Sequence, residues 1–356
     1  MTDTGAPEDG RGTAPGPGGP RKRPTIRDVA REAGVSYGTV SRVLNDRDWV
    51  SPEAARAVKA AIARTGYTTN HHARSLATGR SGSIAFLLTE PQHLLFEDPN
   101  FSILLRGVAQ ALSRRELTLV LMIAGTPDER GRVLTYLSGG HVDGVLLVSS
   151  HAGDPLLDEL VAAEVSVVAC GRPLGHEEQM ASVAADDRAG ARAAVRHLLG
   201  TGRRRIATIT GPLDTSGGVD RLSGYRDALE AAGAGYREDL VAHGDWGRES
   251  GAEAMRSLLA ADPELDAVFV ASDLMAAGAL ATLREGDRSV PADVAVVGFD
   301  DSGLAATLDP PLTTVRQPLE RISEEMVRLL TESFSGQRPL SVTVPTELVV
   351  RESAPG

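Results

Sequence analysis

Residues 25–45 read TIRDVAREAGVSYGTVSRVLN and contain two short helical patterns joined by a glycine turn. Apolar residues recur every three or four positions before Gly34, and Thr25 with Asp28 three residues later fits a capping box at the start of that helix. Ser36 can cap the second helix. Two short helices joined in this way are typical of a helix-turn-helix, whose second helix enters the major groove of DNA.

The surrounding residues favour the same interpretation. A third helix supports the first two, because Ser51-Pro52 is a typical helix start and Gly66 a typical helix end. Tyr37 and Arg42 would lie on the outer face of the second helix, where they can contact base edges, and Gly38 would allow close approach of the backbone to DNA. Short hydroxyl donors suited to phosphate oxygens are Ser36, Thr39 and Ser41. The alternative is a generic three-helix bundle in which Tyr37 is half-buried.

Charge is divided between a basic N-terminal part and an acidic remainder. The chain of 356 residues has a net charge of −11, yet residues 21–80 carry 12 basic and 5 acidic side chains, a net +7, whereas residues 81–356 carry a net −16. A short basic module on a long acidic body favours a polyanion-binding head. Residues 1–20 are rich in glycine and proline and are predicted to be disordered. Asn70 can cap a short helix over 71–78 that is marginal alone and could fold on DNA.

Composition excludes several classes of protein. No apolar run is long enough to span a bilayer and the N-terminus has no apolar core of a secretory signal, so we expect a soluble cytoplasmic protein. The single cysteine, Cys170, excludes an internal disulfide and a multi-cysteine zinc site. The only lysines, Lys22 and Lys59, do not follow a glycine, which excludes a P-loop. Because no catalytic or metal-binding motif is present either, we expect no catalytic residue, no metal and no cofactor.

From residue 83 onward, short apolar runs alternate with helical patterns, which predicts parallel sheets covered by helices on both faces. The predicted strands are Ile84–Thr89, Leu117–Ile123, Gly144–Ser149, Val165–Cys170, Ile206–Thr210, Ala267–Ala271 and Val294–Phe299. The predicted helices include Leu104–Arg114, Arg188–Leu199, Leu222–Ala232, Ala252–Leu259 and Leu274–Leu283. So many units favour an α/β fold of two doubly wound lobes, with ligands beyond the carboxyl ends of the strands.

Polar side chains and one tryptophan follow these strands. Carboxylates and arginines hydrogen-bond hydroxyl groups in pairs, and an aromatic ring covers the apolar face of a sugar, so these side chains suit a polyhydroxylated ligand. Asp187, Asp273 and Asp300 could instead be helix N-caps. Arg172 and Arg221 are harder to explain in that way, because an arginine at a helix start opposes the helix dipole. Clustered acids could also serve a sugar hydrolase.

At this point the chain resembles the lactose-repressor (LacI/GalR) family of bacterial transcription regulators over about 25–350. The resemblance is carried by residues 25–45, Gly66-Tyr67, Asn70, Ala73-Arg-Ser-Leu76, Gly211-Pro212, Arg221-Leu-Ser-Gly-Tyr225, Gly244-Asp-Trp246, Val297-Gly-Phe-Asp-Asp301 and Pro311–Pro318. It implies a helix-turn-helix, a hinge helix and a two-lobed core resembling periplasmic sugar-binding proteins. It places Tyr37, Gly38 and Arg42 at major-groove positions, and it places Leu76 at a minor-groove wedge position.

The residue patterns above and the resemblance together give two sets of predicted site residues. The DNA-binding set is Thr25, Ser36, Tyr37, Gly38, Thr39, Ser41, Arg42, Asn45, Asn70, Ala73 and Leu76. The effector-binding set is Phe101, Arg172, Asp187, Arg221, Trp246, Ser272 and Asp300. Ser272 and Asp187 stand where many members have asparagine, so the effector cannot be copied from a relative.

The expected organisation follows from these observations. We expect a tail over 1–22, the helix-turn-helix over 23–69, a hinge helix and linker over 70–80 and a core over 81–356. The first lobe would take about 81–184 and 316–345, and the second about 185–315 and 346–356. Because no heptad tail follows Ser341–Val350, we expect a homodimer.

The expected function is a sequence-specific repressor of carbohydrate-utilisation genes. It would bind pseudo-palindromic operator DNA and respond to a small effector, which we expect to be a sugar. The alternative is a solute-binding protein or sugar-acting enzyme with a coincidental basic head.

Overall fold

The structure, a computed structural model, describes residues 24–45, 50–67, 80–334 and 340–356. The chain divides into two compact units, residues 1–79 and 80–356. The predicted tail, the hinge helix over 71–78 and the DNA-binding residues Asn70, Ala73 and Leu76 lie outside the described residues. No described helix is long and apolar enough to cross a membrane.

The first unit is the predicted helix-turn-helix. Its helices are α1 (Ile26–Ala33), α2 (Tyr37–Asn45) and α3 (Pro52–Thr65). They pack around the buried side chains of Val29, Ala30, Val40, Val58 and Ala61.

The predicted end signals of these helices are present. The Asp28 carboxylate accepts the backbone N–H of Thr25 at 2.9 Å and its hydroxyl at 2.7 Å. Gly34 ends α1 at φ 68°, and the Ser36 hydroxyl accepts the Thr39 N–H at 3.1 Å at the start of α2. Because these caps satisfy helix-end groups locally, the bounds of the helices are encoded by nearby residues.

The second unit contains two six-stranded sheets. In chain order its elements are β1 (Ser83–Leu88), α4 (Leu94–Glu97), α5 (Pro99–Ser113), β2 (Thr118–Ile123), α6 (Pro127–Ser138), β3 (Gly144–Val148), α7 (Pro155–Ala162), β4 (Val167–Cys170), β5 (Ala181–Ala185), α8 (Asp187–Gly200), β6 (Ile206–Thr210), α9 (Ser216–Ala231), β7 (Val241–His243), α10 (Arg248–Ala261), β8 (Ala267–Val270), α11 (Asp273–Glu285), β9 (Ala295–Asp300), β10 (Thr313–Arg316), α12 (Leu319–Ser333), β11 (Ser341–Val344) and β12 (Glu347–Val349).

Each sheet forms one lobe. The first sheet has the order β11-β5-β4-β3-β1-β2 and is parallel throughout. The second has the order β12-β10-β9-β8-β6-β7 and is parallel except for the β10–β12 pair. The chain passes between the lobes three times, after β5, after β10 and between β11 and β12. The carboxyl ends of the strands position the loops that carry the site.

The predicted α/β class and the seven predicted strands are confirmed within a few residues. Three strands were missed, Ala181–Ala185, Val241–His243 and Thr313–Arg316, because they are short and contain small or polar residues. The stretch Ser341–Val350 contains two strands, β11 and β12, which belong to different sheets.

Three helices begin earlier than predicted. The helix predicted over Leu222–Ala232 is α9 and begins at Ser216, because the Thr215 hydroxyl accepts the Gly218 N–H at 3.2 Å and caps a glycine-rich first turn. Likewise, α5 begins at Pro99 and α10 at Arg248, in each case one turn or more before the apolar pattern becomes regular.

Candidate functional site

A cleft lies between the carboxyl ends of the two sheets. The first lobe contributes Phe101 and Cys170, and the second contributes Ser272 and Asp300. It encloses about 860 Å³ of empty space, which includes space open to solvent. The structure therefore places a cavity beyond the carboxyl ends of the strands, where the sequence predicts a ligand.

Arg221 is the centre of the charged network in this cleft. Its side chain is only 8% exposed, and its Nε donates to Asp187 Oδ1 at 2.8 Å. One of its terminal nitrogens lies 3.6 Å from Asp300 Oδ1 and donates to the carbonyl oxygen of Ala271 at 2.5 Å. Its guanidinium also stacks over the Phe299 ring, 3.8 Å from the ring centroid. These contacts fix the guanidinium and leave the two carboxylates oriented beside it.

A second set of contacts orients Asp300. Gln317 lies in the segment through which the chain returns to the first lobe. Its side chain donates to Asp300 Oδ1 at 2.7 Å. Asp273, which lies beneath, accepts the Thr314 hydroxyl at 2.6 Å and the Ser302 N–H at 2.9 Å. Asp300 itself has φ 125°, a conformation that is rare for a residue with a side chain and is held here by its neighbours.

The alternative role of these aspartates as helix caps is wrong. Asp186, not Asp187, caps α8 by accepting the Ala189 N–H at 3.0 Å. Ser272, not Asp273, caps α11 by accepting the Met275 N–H at 3.1 Å. Asp300 ends a strand. Asp187 and Asp300 are therefore buried side chains that line the cleft.

Carboxylates in the cleft hold their protons more tightly than usual. Burial raises the pKa of Asp187, Asp273 and Asp300, and neighbouring negative charge adds to the effect at Asp187 and Asp273. Arg221 opposes the rise at Asp187 and Asp300. Burial, together with the charge of Asp300, raises the pKa of Asp98 to about 7. A single guanidinium thus lies beside several buried carboxyl groups. Because carboxyl oxygens outnumber the donors around them, ligand groups that donate hydrogen bonds are favoured.

Trp246 covers one side of the cleft. It has φ 74°, which a non-glycine residue seldom adopts, and a Cβ added at Gly211 would lie 2.1 Å from its ring. The Arg221 guanidinium lies 5.2 Å from the ring centroid. The glycine and the unusual backbone together bring a flat apolar ring beside charged hydrogen-bonding groups, which is the combination that binds sugars.

The first lobe brings polar groups that the sequence analysis did not select. Asp98 caps α5 by accepting the Asn100 N–H at 2.9 Å, and both side chains line the cleft near Phe101. The buried Asn100 Oδ1 has no hydrogen-bond partner among the described residues. A buried acceptor without a partner costs free energy, so it is a natural place for a ligand hydroxyl. Asp98-Pro99 is a helix-start signal that could have drawn attention to this segment.

Arg172 lies apart from the other predicted effector residues. It does not line the cleft, and no helix begins beside it, since Gly171 at φ 83° opens a turn. Instead its guanidinium donates to both Asp220 oxygens, at 3.2 and 2.8 Å, and its backbone N–H donates to the Ser216 hydroxyl. Because Asp220 and Ser216 belong to the other lobe, Arg172 connects the lobes.

A histidine makes a second connection between the lobes. The ring nitrogens of His151 lie 2.9 Å from Glu90 in its own lobe and 2.9 Å from Asp214 in the other. Hydrogen bonding to Glu90 raises the pKa of His151 to about 9 against the effect of burial, and Asp214 adds to the rise. The imidazolium therefore bridges two carboxylates at neutral pH.

Among the predicted DNA-binding residues that the structure describes, Tyr37 and Arg42 are exposed on α2. Tyr37 is 56% exposed, and Arg42 is exposed with its Nε donating to the Gly38 carbonyl oxygen at 3.2 Å. Ser36 and Thr39 share a hydroxyl hydrogen bond of 2.9 Å, and Thr25 is exposed at the start of α1. Ser41 is half-buried on α2, and Asn45 is the last residue of that helix.

Among the described residues of this unit, none requires a glycine at position 38. A Cβ added there would meet its nearest atom, on Arg42, at 3.6 Å, which is an ordinary contact. Close approach of DNA to the backbone at Gly38 stays a prediction.

The structure offers no metal site in the residues it describes, where no group of three His, Cys, Asp or Glu side chains could hold an ion.

Comparison with known proteins finds a matching family for each of the two units. Residues 25–70 match the family of bacterial regulatory proteins, lacI family, and residues 195–354 match the periplasmic binding protein-like domain. The HTH-type transcriptional regulator CelR of Thermobifida fusca is 49% identical over 336 residues, which are 94% of this chain and 99% of that protein.

Two solved structures extend the likeness to three dimensions. A complex of the transcriptional regulator CelR with cellobiose has a TM-score of 0.75 at 48% identity and covers 93% of this chain and 100% of its own. The lac repressor dimer bound to operator and the anti-inducer ONPF has a TM-score of 0.82 at 27% identity, covering 94% and 100%.

Proposed function

The chain belongs to the lacI family of bacterial regulatory proteins and is a DNA-binding transcription regulator, not an enzyme; from this premise we propose that it is a homodimeric repressor that a neutral sugar releases from its operator. The observation that carries the proposal is the buried Arg221, held between Asp187 and Asp300 beside Trp246 in a cleft between the lobes.

The chemistry of the cleft supports a neutral, hydroxyl-rich effector. Hydroxyl groups can donate to the carboxylates and to Asn100 Oδ1 and can accept from Arg221, while Trp246 covers an apolar ring face. An anionic effector would meet the excess of carboxylates. The cellobiose in the related CelR complex is a ligand of this kind, so we take cellobiose as the first candidate.

On DNA, the outer surface of α2 would supply the contacts. Arg42 and Tyr37 would read base edges, whereas Ser36, Thr39 and Ser41 would contact phosphates. Two copies related by a twofold axis would read the two halves of a pseudo-palindromic operator. The contacts of Thr25, Asn45, Asn70 and Ala73 and the insertion of Leu76 into the minor groove stay predictions from the family.

The effector would act through the angle between the lobes. Both lobes supply groups to the cleft, so a bound sugar favours the arrangement in which these groups meet around it. The contacts of Arg172 with Asp220 and of His151 with Asp214 bias the same equilibrium. A change in this angle would alter the spacing of the two hinge segments in the dimer and so the affinity for the operator. Such coupling is typically on the order of 1–3 kcal/mol.

The proposal is tested by selecting DNA sites from a random pool with the full chain and titrating the selected site with cellobiose. We expect a twofold-symmetric site, binding that weakens as salt increases, and release by the sugar. Arg221→Ala should bind the site and ignore the sugar, whereas the exposed control Arg192→Ala should respond as the wild type does. Recovery of no preferred sequence would refute the DNA assignment, and a normal sugar response of Arg221→Ala would refute the effector site.

A further inference from the structure

A second cavity lies next to the effector cleft. It encloses about 1160 Å³ of empty space, part of it open to solvent. One wall is the segment from Glu90 to Glu97 in the first lobe, and the other is Pro212 with residues 245–250 in the second. We call it the outer cavity. Like the cleft, it is formed by both lobes, so it belongs to the same interlobe opening.

The outer cavity adjoins the cleft. Trp246 lines both of them. The chain also passes directly from one to the other, because Ser150 lines the cleft and the next residue, His151, lines the outer cavity. A linear ligand anchored at Arg221 could therefore extend past the tryptophan into the outer cavity.

The walls combine apolar surface with hydrogen-bonding groups. Pro91 and Leu94 stand on the first-lobe side, with exposed Glu97 beside them. Trp246 and exposed Arg248 stand on the second-lobe side. Apolar faces between donors and acceptors match the alternation of ring face and hydroxyl edge in a pyranose. More carboxylates than cations line this cavity, as in the cleft, which disfavours a phosphorylated or otherwise anionic ligand.

The fold gives no reason for an arginine at position 248. It is the first residue of α10, where a positive charge opposes the helix dipole. Its guanidinium forms no hydrogen bond or ion pair with the residues that the structure describes. An exposed guanidinium in an unfavourable place, facing a cavity, is available to a ligand hydroxyl.

We infer that the outer cavity is a second sugar subsite, so that the effector is an oligosaccharide with at least one unit beyond those held in the cleft. This inference rests on the proposed function, since it needs a neutral sugar in the cleft. The unit in the outer cavity would pack on Trp246 and Leu94 and hydrogen-bond Arg248 and Glu97.

Isothermal titration of the full chain with cellobiose, cellotriose and cellotetraose tests the inference. We expect cellotriose to bind about tenfold more tightly than cellobiose, as one or two added hydrogen bonds would give. Arg248→Ala and Glu97→Gln should each lose most of that gain and leave the cellobiose affinity as it is. The control Arg256→Ala, an exposed arginine on the same helix, should keep the gain.

The outcomes separate the two proposals. Equal affinities for cellobiose and cellotriose, or a gain that survives in both outer-cavity variants, would overturn the subsite and leave the proposed function standing. Binding of none of these sugars by a chain that still binds its operator would overturn the sugar effector and the subsite together.

Discussion

Replacing Arg221 by alanine tests how charge in the cleft is balanced. In the wild-type chain its guanidinium lies 2.8 Å from Asp187 and 3.6 Å from Asp300, and all three side chains are less than one tenth exposed. Without the guanidinium, two carboxylates stay buried with no cation beside them. Removing one partner of such a buried network costs about 3–5 kcal/mol.

The loss should depend on pH in a definite direction. Burial already raises the pKa of both carboxylates in the folded state, and removing Arg221 raises each pKa further. A carboxyl group whose pKa is higher in the folded than in the unfolded state destabilises the fold as pH rises through that folded value. The loss of stability of the variant relative to the wild type should therefore be larger at pH 8 than at pH 5.

Thermal unfolding at pH 5 and pH 8 measures this effect. For lobes of this size we expect the midpoint to fall on the order of 10 °C at pH 8, and less at pH 5. Arg192→Ala, an exposed arginine on α8, is the control. Adding Asp187→Asn to Arg221→Ala should restore part of the stability without restoring sugar binding. Wild-type stability of Arg221→Ala at pH 8, together with unchanged cellobiose affinity, would refute the reasoning.

Three further predictions concern the helix-turn-helix and the contact between the lobes. Arg42→Ala should cost about 1–3 kcal/mol at one base-pair position and relax specificity there; unchanged preference in a repeated site selection would reject that contact. Gly38→Ala should stabilise the helix-turn-helix by roughly 0.5–1 kcal/mol in thermal unfolding and weaken operator binding in a gel shift; unimpaired binding would show that the backbone does not approach DNA there. His151→Ala should lower stability at pH 7 but hardly at pH 10. The stabilisation from the charged bridge to Asp214 is fully present below pH 6.5 and is lost as pH rises through about 9. A stability difference between variant and wild type that stays constant from pH 6 to 10 would contradict the bridge.

Local signals made the helix-turn-helix predictable. Its boundaries are set by caps within a few residues, such as Asp28 on Thr25 and Ser36 on Thr39, and by glycines that end α1 and α3. The buried strands were predictable for a similar reason, because a continuous apolar run is typical of a parallel strand covered on both faces.

The cleft was only partly predictable, since it is assembled by long-range packing. The structure brings Phe101, Asp187, Arg221, Trp246, Ser272 and Asp300 to one cleft. Arg172 was placed with them because it follows a strand, yet a turn at Gly171 directs its side chain to Asp220.

On the first-lobe side of the cleft, Phe101 was predicted but its polar neighbours were not. Asp98 and Asn100 begin a helix, and nothing local shows that this helix start faces the other lobe. Gln317 directly follows β10, which pairs with β9, so its contact with Asp300 depends on a strand pairing that the local sequence does not show.

The most direct test of the account is the reciprocity of its two sites. Cellobiose affinity is measured with the full chain free and bound to its selected operator, and operator affinity is measured with and without saturating cellobiose. We expect the sugar to bind the DNA-bound chain more weakly than the free chain, by the same factor by which it lowers operator affinity. Equal sugar affinities for the free and the DNA-bound chain would contradict the claim that a ligand in the cleft controls the affinity for DNA.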